Sequence, residues 1–368
     1  MPNVTELLVR DDSAVTGPEG SSIPLVEVVT YVCAILVALA VGATAFAVLG
    51  ANPLTAYGTV IHNSLGSASA LSQTLNKTTP LLLGSAAVAL SLRGGFLNLG
   101  VAGQMYAGAI CAMWAAFGLE GAPRIVEVIA PLVAAAIGGG LFAAVAAVLR
   151  HLWSVNELFV TVMLNFVGMY AADWLATRVW SDPVTGNAVS KPIPAAAQLP
   201  TYGHYGGHIG IFIAIAFAIA IQIWLSHSRR GYELNAMSAN PVASKMAGIS
   251  PLLMVLLALA GGGVLAGLGG GIELTGAQFV LFNGLSANYG FMSVLAAVLA
   301  RRNAILCIPV AFVLAGLIVG TNALQATIQL PASAVLLLEG LVVLTILIGE
   351  SLAKRSKLLA RLSAPASE

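Results

Sequence analysis

Ten stretches of about 20 mostly apolar residues follow one another along this 368-residue chain, and they constrain its fold more than any motif does. An α-helix rises about 1.5 Å per residue, so about 20 residues cross the roughly 30 Å hydrocarbon core of a bilayer. Lipid offers no water to backbone amides, so each stretch must satisfy itself as a helix. The stretches are 25–49, 72–92, 96–118, 127–149, 157–178, 208–226, 251–272, 282–300, 304–322 and 332–349. Hydrophobic residues make up 58% of the chain and charged ones only 8%. Soluble domains carry about a quarter charged residues. The expectation is an all-α integral membrane protein with about ten transmembrane helices over 25–349.

Lys and Arg predict its orientation, because they stay on the cytoplasmic side of short loops. With the N-terminus inside, the inner segments hold Arg10, Arg93, Arg150, Arg229, Arg230, Lys245, Arg301, Arg302, Lys354, Arg355, Lys357 and Arg361. The outer segments hold Lys77, Arg124, Arg178 and Lys191. Twelve against four places both termini in the cytoplasm. Segment 1–24 is polar and lacks the basic start and short apolar core of a secretory signal, so it is expected to be a cytoplasmic tail. Segment 350–368 reads as a basic cytoplasmic tail.

The 39 glycines fall mostly within the spans, most densely at Gly138–Gly140, Gly261–Gly263 and Gly269–Gly271. They suit either close helix packing or broken, rocking helices along a transport path. Two Gly-rich segments, 92–100 and 268–276, resemble each other weakly and lie on opposite sides of the predicted membrane. That placement suits an inverted repeat.

Several function classes are disfavoured. Net charge is +1 with no basic run, so no nucleic-acid partner is expected. Cys33, Cys111 and Cys307 are scattered without CxxC spacing, so neither a metal site nor a disulfide framework is expected. There is no nucleophile–base constellation and hence no catalytic residue to name. Ion-coupled secondary transport needs titratable relays, and the spans offer only Glu339, Asp173 and boundary carboxylates.

Two connections stand out. The outer loop 179–207 contains Pro183, Pro192, Pro194 and Pro200, which favour extended, ordered backbone. It suits either a docking surface or a passive connector. The inner loop 227–250 holds a capped short helix. Asn240 suits the N-cap, Pro241 the first turn, Lys245 the last turn and Gly248 the stop. So short a helix needs something to pack on, either the protein's own helices or a cytoplasmic subunit. Gly231, Asn240, Pro241, Ala243, Lys245 and Gly248 are the residues expected to couple to a cytoplasmic subunit.

Polar residues within spans face a cavity or each other. Glu157, Thr161 and Asn165 recur every four residues, which puts them on one helix face. That face suits a solute pathway or interhelical hydrogen bonds, and Glu157 also suits pairing with Arg150. Asn98 and Gln104 follow Gly94-Gly95, and Asn283, Ser286 and Asn288 open the eighth stretch. These neutral groups suit a neutral hydroxylated solute. Glu339, mid-way along the tenth stretch, suits either the pathway or a structural hydrogen bond.

At four blocks the sequence resembles the ABC permeases of nucleoside and simple-sugar importers, within the branched-chain amino-acid/ribose permease superfamily. The first block runs from Thr79-Pro80-Leu81-Leu82-Leu83 to Arg93-Gly94-Gly95-Phe96-Leu97-Asn98-Leu99-Gly100-Val101-Ala102-Gly103-Gln104. The others are Val155 to Asn165, Gly231 to Gly248, and Tyr289-Gly290-Phe291 to Asn303. The family usually has an acidic residue where Ala102 stands and Arg where Asn235 stands. The resemblance implies a type II-like importer permease of the longer type, paired with a shorter paralogue as a heterodimer. It implies ATPase subunits that carry ATP and Mg, a periplasmic or lipid-anchored solute-binding protein, and the bacterial inner membrane. Consistently, the chain has no GxxxxGK[ST] phosphate loop and is expected to bind no cofactor. Nucleosides are the leading solute, with sugars and riboflavin-like compounds as alternatives.

Overall fold

The computed structural model describes residues 25–48, 50, 52–182, 188–203, 205–286, 288–328, 340 and 348. Both tails, Glu339 and nearly all of the stretch 332–349 lie outside these. By contacts the chain divides into two units, 1–53 with 336–368, and 54–335. The first holds α1 (Leu25–Val48). The site lies in the second.

The described residues form α2 (Pro53–Leu65), α3 (Ala68–Arg93), α4 (Val101–Gly118), α5 (Arg124–Trp153) and α6 (Glu157–Trp174). Then come α7 (Gly210–His227), α8 (Arg229–Ala239), α9 (Pro241–Met246), α10 (Pro251–Glu273), α11 (Tyr289–Leu299) and α12 (Cys307–Ile328). Two π-helical segments, Leu175–Val179 and Leu274–Gln278, extend α6 and α10. A small hairpin pairs β1 (Thr201–Tyr202) with β2 (Gly207–His208). Among the described residues, six helices are long and apolar enough to cross a membrane: α4, α5, α6, α7, α10 and α12.

The eighth predicted stretch, 282–300, is helical only over 289–299. Its 11 residues rise about 16 Å, half the hydrocarbon thickness. The third stretch begins at Val101 rather than 96, because Gly95 turns at φ +80° and 96–100 runs without helix. The amphipathic α2 had no apolar signal to announce it.

α3 is the central helix. Ser67 caps it by accepting from Ala70 N at 3.0 Å. Every residue from Thr78 to Ser91 is buried, with α10, α12, α11 and α7 around it. Its hydroxyls return to its own carbonyls: Thr78 to Thr74 O, Ser85 to Leu82 O and Ser91 to Ala87 O. A helix this polar is tolerated because protein, not lipid, surrounds it.

α10 is the second centre, packed on α5, α3 and α4. Glycines allow backbone to meet backbone there. A Cβ on Gly267 would overlap Ala135 O, and one on Gly270 would overlap Met105 O. α10 starts just after α9 and ends at Glu273, which bonds Lys77 near the start of α3. The two helices are therefore antiparallel, and the breaks at 94–100 and 279–288 lie at opposite ends of the pair.

Candidate functional site

At one end of α3, a cavity of about 790 Å³ opens between α2, α3, the segment after α10, the hairpin and α12. Its walls present the amides Asn63, Gln73, Asn76, Gln278 and Asn322, with hydroxyls from Ser67, Ser69 and Thr201. Lys77 also lines it. Lys77 Nζ donates to Glu273 Oε1 at 2.9 Å. Glu273 lies behind the wall, fully buried, and Oε1 also accepts from Gln278 at 2.8 Å and Tyr289 at 3.2 Å. Its Oε2 has no hydrogen-bond partner among the described residues. Removing Lys77 alone would strand this carboxylate, a loss on the order of 3–5 kcal/mol. His208 packs beside Gly276. Burial pushes its imidazole below the ordinary range and so favours the neutral form, with Glu273 pulling it up and Lys77 pushing it further down.

The loop 188–209 holds this end together. Asn76 donates to Gly206 O at 2.9 Å and accepts from His208 N at 3.2 Å, tying the hairpin to α3. The π-helical turn and the left-handed Phe279 (φ +60°) end α10 without further helix. Its freed carbonyls accept from the loop: Thr275 O from Leu199, Phe279 O from Ile193 and Leu281 O from Ser190, each at 2.9 Å. Ile193 and Ala197 enter the apolar core against Met113, Ala135 and Leu274. The proline-rich loop is thus extended and ordered where described, with Pro183 outside the described residues.

The other end of α3 carries the short helix. Asn240 Oδ1 accepts from Val242 N at 3.1 Å and Ala243 N at 3.0 Å, Pro241 opens α9, Lys245 lies in its last turn and Gly248 turns at φ +79°. Val242 (65% exposed) and Met246 (85% exposed) stand one turn apart, and Tyr232 on α8 is exposed nearby in sequence. Gly231 is buried, and the Leu225 backbone lies so close that a Cβ there would strike it. Ser228 caps α8 through Gly231 N at 2.9 Å. Leu234 and Ser238 of α8 lie against Gly94 and Gly95, at the foot of α3. Arg93 donates to Arg302 O at 3.1 Å at this same end.

The other predicted pathway residues hold the break at 94–100. Asn98 and Gln104 are buried and paired with each other through two amide hydrogen bonds of 3.1 and 3.0 Å. Asn165 donates to Leu99 O at 2.8 Å and accepts from Gly103 N at 2.7 Å. Thr161 donates to Glu157 O at 2.7 Å, and Glu157 pairs with Arg150. The stripe therefore lies on the face of α6 turned to α4 and α5, with Glu157 and Thr161 buried and Asn165 partly so. Asn165 and Asn283 also border a smaller cavity of about 170 Å³ with Tyr106 and Ser286. Asn288 is exposed at the start of α11. Among the described residues no group of His, Cys, Asp or Glu is placed to hold a metal ion.

Residues 70–348 match the family described as branched-chain amino acid transport system / permease component. The chain belongs to this family. It is 29% identical over 334 residues to the glucose ABC transporter permease protein TsgB13 of Haloferax volcanii, covering 87% of each chain. It is 27% identical over 317 residues to the guanosine ABC transporter permease protein NupP of Bacillus subtilis, covering 84% of this chain and 90% of that one. The nucleoside ABC transporter permease protein NupB of Lactococcus lactis subsp. cremoris is 27% identical over 289 residues, 76% of this chain and 79% of its own. No solved structure matches the chain significantly. Sequence reasoning missed Lys77 with Glu273, which lie 196 positions apart. The available signal was a carboxylate closing an apolar, Gly-rich stretch.

Proposed function

We propose that this permease is the membrane-spanning subunit of an ATP-driven importer for a nucleoside, which a solute-binding protein delivers. The observation that carries the proposal is α3, which has the polar cavity at one end and the capped, exposed α9 region at the other. Its 26 residues give a rod about 39 Å long, enough to cross the bilayer. The charges support the orientation. Arg93, Arg150, Arg229, Arg230, Lys245 and Arg302 belong to the α9 end, so that end is cytoplasmic and α9 docks on the ATPase. Lys77 and Lys191 belong to the cavity end, which opens outside. Ten spans with both termini cytoplasmic, a shorter permease as partner and the bacterial inner membrane complete this account.

The neutral amides and hydroxyls of the cavity suit a nucleoside, as do the guanosine and nucleoside permeases among the relatives. A sugar is the second reading, favoured by the similarity to the glucose permease. Purification from native membranes should recover an ATPase, a second permease and a binding protein, identified by mass spectrometry. Reconstituted with them, the chain should import radiolabelled nucleosides only when ATP is supplied on the ATPase side. ATP-independent transport by the isolated chain would contradict the proposal.

A further inference from the structure

Among the described residues lining the large cavity, Lys77 is the charged one, and the others are amides, hydroxyls or apolar groups. Its counter-charge does not share the wall. Glu273 is fully buried behind it and reaches Lys77 at 2.9 Å, with Gln278 and Tyr289 fixing the same oxygen. Lys77 itself stays part-exposed, with a side chain 28% accessible. An ammonium group has three donors, and Glu273 takes one. The others remain for a solute in the cavity.

Resting on the importer reading above, we infer that Glu273 sets the charge selectivity of this cavity. By neutralising Lys77 from behind the wall, it makes the cavity a site for uncharged solutes rich in hydroxyl and carbonyl acceptors. Such a solute accepts a hydrogen bond from Lys77 without bringing a charge into the low-dielectric bundle. An anion meets the pair, not a free cation, and gains little. A cavity without the carboxylate would present one uncompensated positive charge and favour a monoanion.

The test uses the assembled permease and ATPase subunits in nanodiscs without the binding protein, which otherwise filters the solute. Adenosine and adenosine 5′-carboxylate are compared by saturation-transfer NMR in competition. The wild-type complex should prefer adenosine. Glu273→Gln should shift the ratio at least tenfold toward the carboxylate, following the strength of a single uncompensated charge at short range. The double variant K77Q/E273Q, neutral again, should restore the preference for adenosine, which a purely structural role of Glu273 does not predict. Asn322→Lys adds a charge to the wall without touching the pair and should shift the ratio the same way. If Glu273→Gln fails to assemble, Asn322→Lys decides. An unchanged ratio in the assembled charge variants overturns the inference, as does equal binding of both probes by the wild type, even with nucleoside import intact. Failure of the complete wild-type system to import any nucleoside overturns the functional proposal instead.

Discussion

Asn165 caps a helix that is not its own. The N-terminus of α4 has no side-chain cap from Gly100, and Asn165 of α6 accepts the Gly103 N–H in its place. It also donates to Leu99 O, so one amide holds both sides of the break. Asn165→Leu removes both bonds and should cost about 1–3 kcal/mol, the penalty for leaving a buried backbone group unpaired. A lowered thermal midpoint of the purified protein, with no loss of the nearby Asn98–Gln104 pairing by structure determination, is the expected result. Glu233 works on α8, which packs at this same end of α3. Hydrogen bonds from Arg230, and then Arg229, hold its carboxyl below the ordinary range, against an opposing push from burial. A depressed folded value means the pair stabilises above the unfolded carboxylate value of about 4.3 and ceases to as pH falls through the folded one. The thermal midpoint of wild type should therefore exceed that of Glu233→Gln at neutral pH, and the gap should close below about pH 4.

Glycine placement separates helices that pack from ends that do not. Gly267 has backbone of α5 against it, whereas a Cβ added to Gly118, at the end of α4, would meet none of the described residues within 4 Å. Gly267→Leu should abolish the monodisperse peak on fluorescence-detected size exclusion. Gly118→Ala should keep it and raise the thermal midpoint slightly, because alanine loses less backbone freedom on folding. At this scale much was legible beforehand. Spans such as 127–149 and 157–178 fall on the helices α5 and α6, α5 running a few residues past its span at each end, because twenty apolar residues admit no other structure in lipid. α9 was legible from Asn240-Pro241 and Gly248, since caps are local chemistry. The breaks were not. Phe96–Gly100 is held out of helix by Asn165, 66 positions from its partner Leu99, and by Gln104 on Asn98. The shortening of 282–300 likewise depends on loop amides capturing the carbonyls at Thr275, Phe279 and Leu281.

At the largest scale, the unit 54–335 is organised along α3. Cavity, buried core and α8 are arranged along one helix, with Gln73, Asn76 and Lys77 toward its head and Gly94 and Gly95, beside Leu234 and Ser238, at its foot. Asn98, Gln104, Glu157 and Thr161, expected along the pathway, bond each other, Arg150 or their own helix in the structure. The pairing of Glu157 with Arg150 was legible in the sequence, whereas the large polar cavity around Lys77 was not. The direct test is the double variant V242E/M246E, which places two charges on the exposed face of α9 and touches nothing in the cavity. Nucleoside uptake is measured in proteoliposomes holding both permeases, the ATPase and the binding protein. ATP-dependent uptake should fall more than tenfold while adenosine binding to the cavity persists, as when charge is placed in an apolar docking patch. Uptake at the wild-type rate in that variant would contradict docking through α9.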